Sequence, residues 1–328
     1  GTSSVLSSSS CSLQLAAIYF FSRQMIFMTN DEMQGFMFTD MDIRGVHLRL
    51  DQGVKALLDE QDYPAPVARL LTEMLIVACL LSANLKLRGH LSVQIRGSGP
   101  IKWVMAECRQ LSNDPEQPFR VKGMAQVDGV VGADASFAEL VADGRLIITI
   151  EPDQGQRYQG IVMADQGTLA ECIESYFYQS EQLPTHIQLV STEAGAAGLM
   201  LQRLPQTTVQ EDQADLDWEL VHALAASLTQ HELAQLPAEQ VLYRLFHEHQ
   251  VQVFAPRPIL QQCDCSRERC GAAIVGLGAT TVNEILAEQK AIIIDCHFCN
   301  TQYAFDKVDC HLLLEQDVLP AKVESALH

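Results

Sequence analysis

The sequence predicts an α+β chain with an N-terminal domain of antiparallel sheet around a buried helix, a helical linker and a small C-terminal four-cysteine domain. Three observations predict it. Short segments of period-two hydrophobicity come in runs, with helices between blocks rather than after each strand, the pattern of segregated strands and helices. The stretch from Leu70 to Leu81 is apolar on every face, which marks a helix enclosed by its domain. Past Pro258, two close-set cysteine pairs, CDC and CHFC, stand on either side of a short apolar segment. The expected boundaries are 1–27 for a leader, 28–205 for the N-terminal domain, 206–258 for the linker and 259–328 for the cysteine domain.

The leader begins serine-rich, lacks an initiating Met and turns apolar with a single charge at Arg23. A secretory signal starts with basic residues, and none are present. The stretch, Cys11 included, is therefore set aside as an appended or upstream-translated segment, with Met28 as the natural start. VHLRL (46–50) then alternates as a strand. Residues 54–86 form two helices broken by Pro64 and Pro66, the second over about 66–86. No run approaches the roughly 20 apolar residues of a membrane span, and Glu73 interrupts this one. Seven strands follow: LSVQIRG, IKWVMAEC, FRVKGMAQV, RLIITIEP, RYQGIVMA, THIQLVST and GLMLQRL, with a helix over 168–182 among them. GSGP (97–100) is a hairpin turn, because a phosphate cradle needs a helix after it and here a strand follows.

After Pro205, QTTVQEDQADLDWE is polar and acidic, as a linker would be. Three short helices come next. Asp217 caps the first, with an apolar stripe of Leu220, Val221, Leu224 and Leu228. Thr229 and Glu232 make a capping box for the second. Pro237 starts the third, whose inner face carries Val241, Leu242, Leu245 and Phe246. Helices this short do not hold themselves together, so they borrow stability by docking. His222, His231, His247 and His249 are expected on solvated helix faces rather than in a pH sensor. VQVF (251–254) is a strand ended by Pro256 and Pro258.

The CxC pair, Cys263 and Cys265, and the CxxC pair, Cys296 and Cys299, each put two sulfurs within reach of one ion. Four thiolates close a tetrahedral shell around Zn²⁺, leaving no position for water, so the metal is structural or regulatory. Iron–sulfur motifs run in a different order. Cys270, Cys310 and His297 are expected as neighbours, although a ligand swap with one of them stays open. Arg267, Arg269, Lys290 and Lys307 flank the pairs and can offset a local charge of about −2, or simply be solvated. Between the pairs stand one helix, from Thr281 with Glu284 completing its start, and one strand, AIIID. That segment is too small for a competent core, and metal binding would supply most of its folding free energy, on the order of 10 kcal/mol.

The 328-residue chain is 48% hydrophobic and 19% charged, an ordinary globular composition with room for two sizeable cores. Its net charge of −19 argues against a nucleic-acid partner, which needs a basic surface. No catalytic Ser/His/Asp set is evident. Cys79, Cys108 and Cys172 sit in apolar contexts as core residues. Cysteines divided between a core and one metal-like cluster fit a reducing cytosol.

CDCSRERC followed by CHFC resembles the heat-shock protein 33 family, redox-regulated holdase chaperones of the bacterial cytosol. The likeness extends to QDYPAPVARLLTEMLIVACLLSANLKLRG, QIRGSGP, GQRYQGIV, YFYQSEQLPT, GLMLQ and LPAEQVLYRLFHE, and covers about Met28 to Val308. The resemblance implies one zinc per chain on Cys263, Cys265, Cys296 and Cys299, and a chaperone held inactive while reduced. It implies early oxidation of Cys296 and Cys299, zinc loss, then oxidation of Cys263 and Cys265 as the linker melts. Exposed apolar surface would then hold unfolding client proteins without ATP. Homodimerisation through the N-terminal domain is implied likewise, and no enzyme activity, nucleic acid or membrane. The residues fit, because metal-bound sulfur is already the oxidisable thiolate and each disulfide removes two ligands. Two rivals remain: a zinc-ribbon nucleic-acid binder, and a zinc-stapled protein with a non-redox binding or enzymatic N-terminal domain.

Overall fold

The structure, a computed structural model, describes residues 31–59, 61–85, 88–114, 116–193, 195–205, 210–263, 265–296, 298 and 301–318; the expected leader lies outside them. The chain divides into two compact units, one ending at Gln262 and one beginning at Cys263.

The first unit is built on an eleven-stranded sheet. β1 (Glu32–Phe38) and β2 (Ile43–Arg49) form an antiparallel pair. β3 (Gly89–Arg96), β4 (Ile101–Gln110) and β5 (Phe119–Val127) form a meander, with GSGP as the expected hairpin turn. β6 (Arg145–Pro152) and β7 (Tyr158–Met163) extend it on the far side of β3, and β8 (Thr185–Thr192) and β9 (Gly195–Arg203) extend the pair at β2. All seven strands expected between 91 and 204 form. β10 (Val251–Val253) and β11 (Arg257–Gln261) complete the sheet.

The sheet departs from the expected antiparallel pattern at one place, where β11 runs parallel to β5. Pro258, expected to end a strand, lies inside β11 instead. It faces Glu32 of β1, and the pairing with β5 starts only at Ile259, so the missing proline N–H is not called on by that ladder.

α1 (Gln52–Asp59) and α2 (Ala65–Ala83) are the two helices split by Pro64. By length and composition α2 could cross a membrane, contrary to the expectation from its sequence, yet 78% of its most apolar window is buried inside the fold. It packs on β3, β4 and β5 and also on β1, β2, β8 and β9, so every face meets protein. Two glycines admit it. A Cβ on Gly198 would collide with Ile76 Cγ2, and one on Gly123 would stand 2.9 Å from Leu75 Cδ2. Cys79, Cys108 and Cys172 are buried as expected. The short helix α3 (Phe137–Val141), started by a Ser136–Glu139 capping box, had no counterpart in the sequence reading; α4 (Leu169–Tyr176) did, and it runs on into a π-helical turn, Phe177–Glu181.

α5 (Glu211–Ala226), α6 (Gln230–Gln235) and α7 (Ala238–Phe246) dock on a second apolar cluster. Phe36, Phe38, Leu199 and Leu201 of the sheet meet Val221, Ala225, Leu233, Val241, Leu242 and Phe246 there. The ring centroids of Phe38 and Phe246 are 5.1 Å apart. The Thr229–Glu232 capping box forms. Asp217 does not cap: α5 starts at Glu211, within the stretch expected as linker, and Asp217 sits mid-helix, accepting a 2.8 Å bond from Gln213. The buried face is Ala214, Asp217, Val221 and Ala225, while Leu220 is 44% exposed. Of the expected stripe, Val221, Leu224 and Leu228 pack on the cluster and Leu220 alone faces out. His222 is exposed yet stands edge-on to His186, with ring centroids 4.5 Å apart.

Glu73 is the one acidic residue of α2. Burial pushes its carboxyl up to about 7, with Arg69 opposing. A carboxyl raised on folding contributes stability that is complete below its unfolded pKa and is lost as pH rises through the folded value. Glu73→Gln should therefore match the wild type near pH 5 and exceed it at pH 8, by about 3 kcal/mol at most, in urea denaturation followed by circular dichroism. An offset independent of pH would contradict this.

Candidate metal centre

The second unit holds α8 (Arg267–Leu277), α9 (Ala279–Glu288), an antiparallel hairpin of β12 (Ala291–Asp295) and β13 (Gln302–Asp306), and α10 (Lys307–Val318). AIIID forms the expected strand. α8 was not expected; Ser266 starts it, its hydroxyl accepting from Arg269 N at 3.2 Å. α9 begins at Ala279 behind Gly278, whose φ of 80° suits glycine, and no side chain caps it. Thr281 is thus inside the helix and forms no capping box with Glu284.

The buried core is small: Ile274, Val282, Ile292, Phe305 and Cys310. Arg267 ties its edge together, donating to Ala304 O at 2.8 Å and Asp309 Oδ2 at 2.6 Å, with its guanidinium 4.4 Å from the Phe305 ring centroid. Its charge is committed to that carboxylate and ring rather than to the sulfurs.

Cys263 and Cys265 precede α8, and Cys296 leaves the end of β12, its N–H donating to Thr301 O at 2.9 Å. The strand pairing of Asp295 with Gln302 brings together the chain on either side of the second knuckle. The sulfurs of Cys263, Cys265 and Cys296 all lie within 4.8 Å of one another. Cys263 Sγ is 3.5 Å from Cys296 Sγ, and Cys265 Sγ is 3.3 Å from Tyr303 Oη. A tetrahedral thiolate shell with Zn–S near 2.3 Å spaces its sulfurs about 3.8 Å apart, so these donors fit three corners. Cys299 and His297 lie outside the described residues. Among those described, neither Cys270 nor Cys310 joins the cluster. Cys310 is instead a core residue, its Sγ 3.8 Å from Phe305 O, and burial raises its thiol, with Asp309 and Asp306 adding. Burial also holds the Cys263 thiol well above the usual range; the Cys296 and Cys265 sulfurs reinforce this and the Cys265 backbone opposes it. Three sulfurs this close resist sharing negative charge, and a divalent cation reverses that preference. Tyr303 was missed from sequence, since nothing in QYAFD separates a tyrosine beside sulfur from an ordinary strand residue.

A family model described as Hsp33 protein matches residues 31–306. The chain belongs to the Hsp33 family. A 33 kDa chaperonin of Pseudomonas aeruginosa is 42% identical over 283 residues, spanning 85% of this chain and 93% of the relative. A 33 kDa chaperonin of Shewanella loihica is 38% identical over 288 residues, 88% of this chain and 97% of its own. The crystal structure of a 33 kDa chaperonin from Thermotoga maritima covers 88% of this chain and 99% of its own with a TM-score of 0.70 at 20% identity. At that identity it supports the Hsp33 fold alone.

Phe305 is 2% exposed and supports both the small core and Arg267. Phe305→Ala should cost about 3–5 kcal/mol, enough to unfold a unit with so few buried side chains. Amides beyond Cys263 should lose hydrogen-exchange protection while those of β3, β4 and β5 keep it. Protection retained in both regions would contradict this.

Proposed function

We propose that this Hsp33-family chain is an ATP-independent holdase chaperone, inactive while reduced and zinc-bound and activated by oxidation. The observation that carries the reading is the convergence of the Cys263, Cys265 and Cys296 sulfurs in a unit whose own core is five side chains. Cys299 supplies the fourth donor in this reading. One Zn²⁺ per chain, when bound, keeps four sulfurs as thiolates and clamps the two knuckles together.

Oxidation acts through the cysteines alone. Cys296 and Cys299 join first, their thiolates giving two electrons to peroxide, which takes two protons from solvent and leaves as two waters; Cys263 and Cys265 follow. Each disulfide withdraws two donors. With the knuckles released, the small core no longer sustains its fold, and the segment 206–258 undocks with it. Undocking uncovers the sheet face of Phe36, Phe38, Leu199 and Leu201, an apolar surface suited to unfolding client proteins. Short docked helices over a sheet make the two-state element such a switch requires.

The remaining expectations belong to the same reading: a homodimer formed through N-terminal domains, a reducing cytoplasm, no catalytic chemistry, no nucleic-acid partner at a net charge of −19, and no membrane partner, since α2 spends its apolar surface inside the fold.

Titrating peroxide while following zinc, free thiols and the aggregation of a heat-unfolded client tests it. About one zinc and four thiols should disappear in step, and aggregation should be suppressed only afterwards. Zinc that stays bound through peroxide, or equal suppression in both states, would favour the zinc-stapled alternative.

A further inference from the structure

The three described sulfurs of the cluster differ in what is hydrogen-bonded to them. Cys263 Sγ accepts from the backbone N–H of Cys265. Cys265 Sγ stands 3.3 Å from the Tyr303 hydroxyl. Cys296 Sγ has, among the described residues, the Cys263 sulfur at 3.5 Å and no N–H or O–H donor. The two sulfurs of the first knuckle are thus each met by a donor, and the described sulfur of the second is not.

Tyr303 is held in place by backbone and by ring. β13 pairs it with Ile294 of β12, two residues before Cys296. Side chains two apart on a strand share a face, so Tyr303 lies on the same side as Phe305, and its ring packs against the small core that Phe305 fills. The hydroxyl is left to reach the sulfurs. With a divalent cation on the cluster the sulfurs carry no protons, so in the bond to Cys265 the tyrosine is the donor. A hydrogen bond to an anion stabilises it, and a thiolate so stabilised is a weaker nucleophile. We propose that Tyr303, by donating to the Cys265 thiolate, tightens the first knuckle on its metal and makes Cys263 and Cys265 the slower pair to oxidise. Tyr303 acts through the sulfur and is a positioning residue. Its effect on the order of oxidation rests on the redox reading above; the hydrogen bond does not.

The chemistry gives the hydrogen bond its leverage. A thiolate attacks hydrogen peroxide, the O–O bond breaks and hydroxide leaves. The neighbouring thiolate then displaces a second hydroxide as the S–S bond forms, and solvent protons turn both hydroxides into water. The attacking sulfur sets the rate of the first step, so the more nucleophilic thiolate reacts first. A first knuckle quietened by two donors leaves that event to the second.

The test compares the reduced, zinc-loaded full-length chain with Tyr303→Phe, which keeps the ring and removes the hydroxyl. With limiting peroxide, differential alkylation and mass spectrometry read which cysteine is oxidised first. The share of first events at Cys263 and Cys265 should rise about 3- to 10-fold in the variant. Competition with a chelator should show zinc held at least about tenfold more weakly. In cobalt-loaded protein with no oxidant present, the sulfur-to-cobalt charge-transfer band should move to lower energy. Looser packing of the unit would instead speed both pairs alike and leave the band in place. An unshifted band would overturn the hydrogen bond, and a shifted band with an unchanged share of first events would overturn its part in the order. Failure of the redox reading looks different: zinc stays bound through peroxide in both proteins while the band still shifts, which keeps the hydrogen bond and removes the order.

Discussion

The main sheet is continuous through one strand. β7, β6, β3, β4 and β5 form one antiparallel half, and β1, β2, β9 and β8 form the other; among the described residues β11 alone is hydrogen-bonded to both. It holds β5 by three residue pairs and β1 by two. What keeps so narrow a seam closed is α2, which packs on strands of both halves. A polar face on that helix would leave one half without its core, and this is why the eight successive positions Met74–Leu81 can all be apolar in a helix enclosed by the fold. The strand at the seam ends at Gln261, two residues before Cys263. Order or freedom at the first knuckle is thus a short covalent step from the strand that joins the sheet.

Stability is distributed unevenly along the chain, and the distribution follows from size. The core around α2 gathers side chains from nearly every strand of the first unit. The cluster under α5, α6 and α7 is smaller, and α6 and α7, of six and nine residues, gain little from their own hydrogen bonds. Phe246 of α7 packs edge to face on Phe38, which meets Phe36 in the same way. The second unit has the smallest core of the three. Surface area outruns buried volume in so short a segment, and cross-linking through shared sulfur donors is the compensation available to it.

The sequence made some of this legible and hid the rest for physical reasons. Period-two strands and the all-apolar helix could be read because each residue's environment repeats with the element's own period. The sulfur cluster could be read because CxC and CxxC spacing is local. The start of α5 could not: it begins at Glu211 inside an acidic stretch, and it buries Ala214 and Asp217 while Leu220 faces out. Pro258 was taken for a terminator because the sequence does not say which edge of a strand is paired. α8 escaped notice because RERCGAAIVGL carries two glycines and no apolar stripe, and its start depends on one serine hydroxyl. Glu73 read as an obstacle to a membrane span; that it lines a cavity beneath another helix pair is information only tertiary structure contains.

The distribution of cysteines adds a chemical argument to the mechanical one. Cys79, Cys108, Cys172 and Cys310 are fully buried, and burial raises the thiols of Cys79, Cys172 and Cys310. A protonated thiol that solvent cannot reach is a poor target for peroxide, whatever the oxidant's concentration. Cys263, Cys265 and Cys296 are only partly buried, and their closeness to one another favours a cation that would hold them as thiolates. Cys270, the other partly buried cysteine described, stands outside that cluster. In the proposed reading, an oxidant meeting the folded chain would therefore be directed to the unit with the smallest core, while the sulfurs packed around α2 stay enclosed.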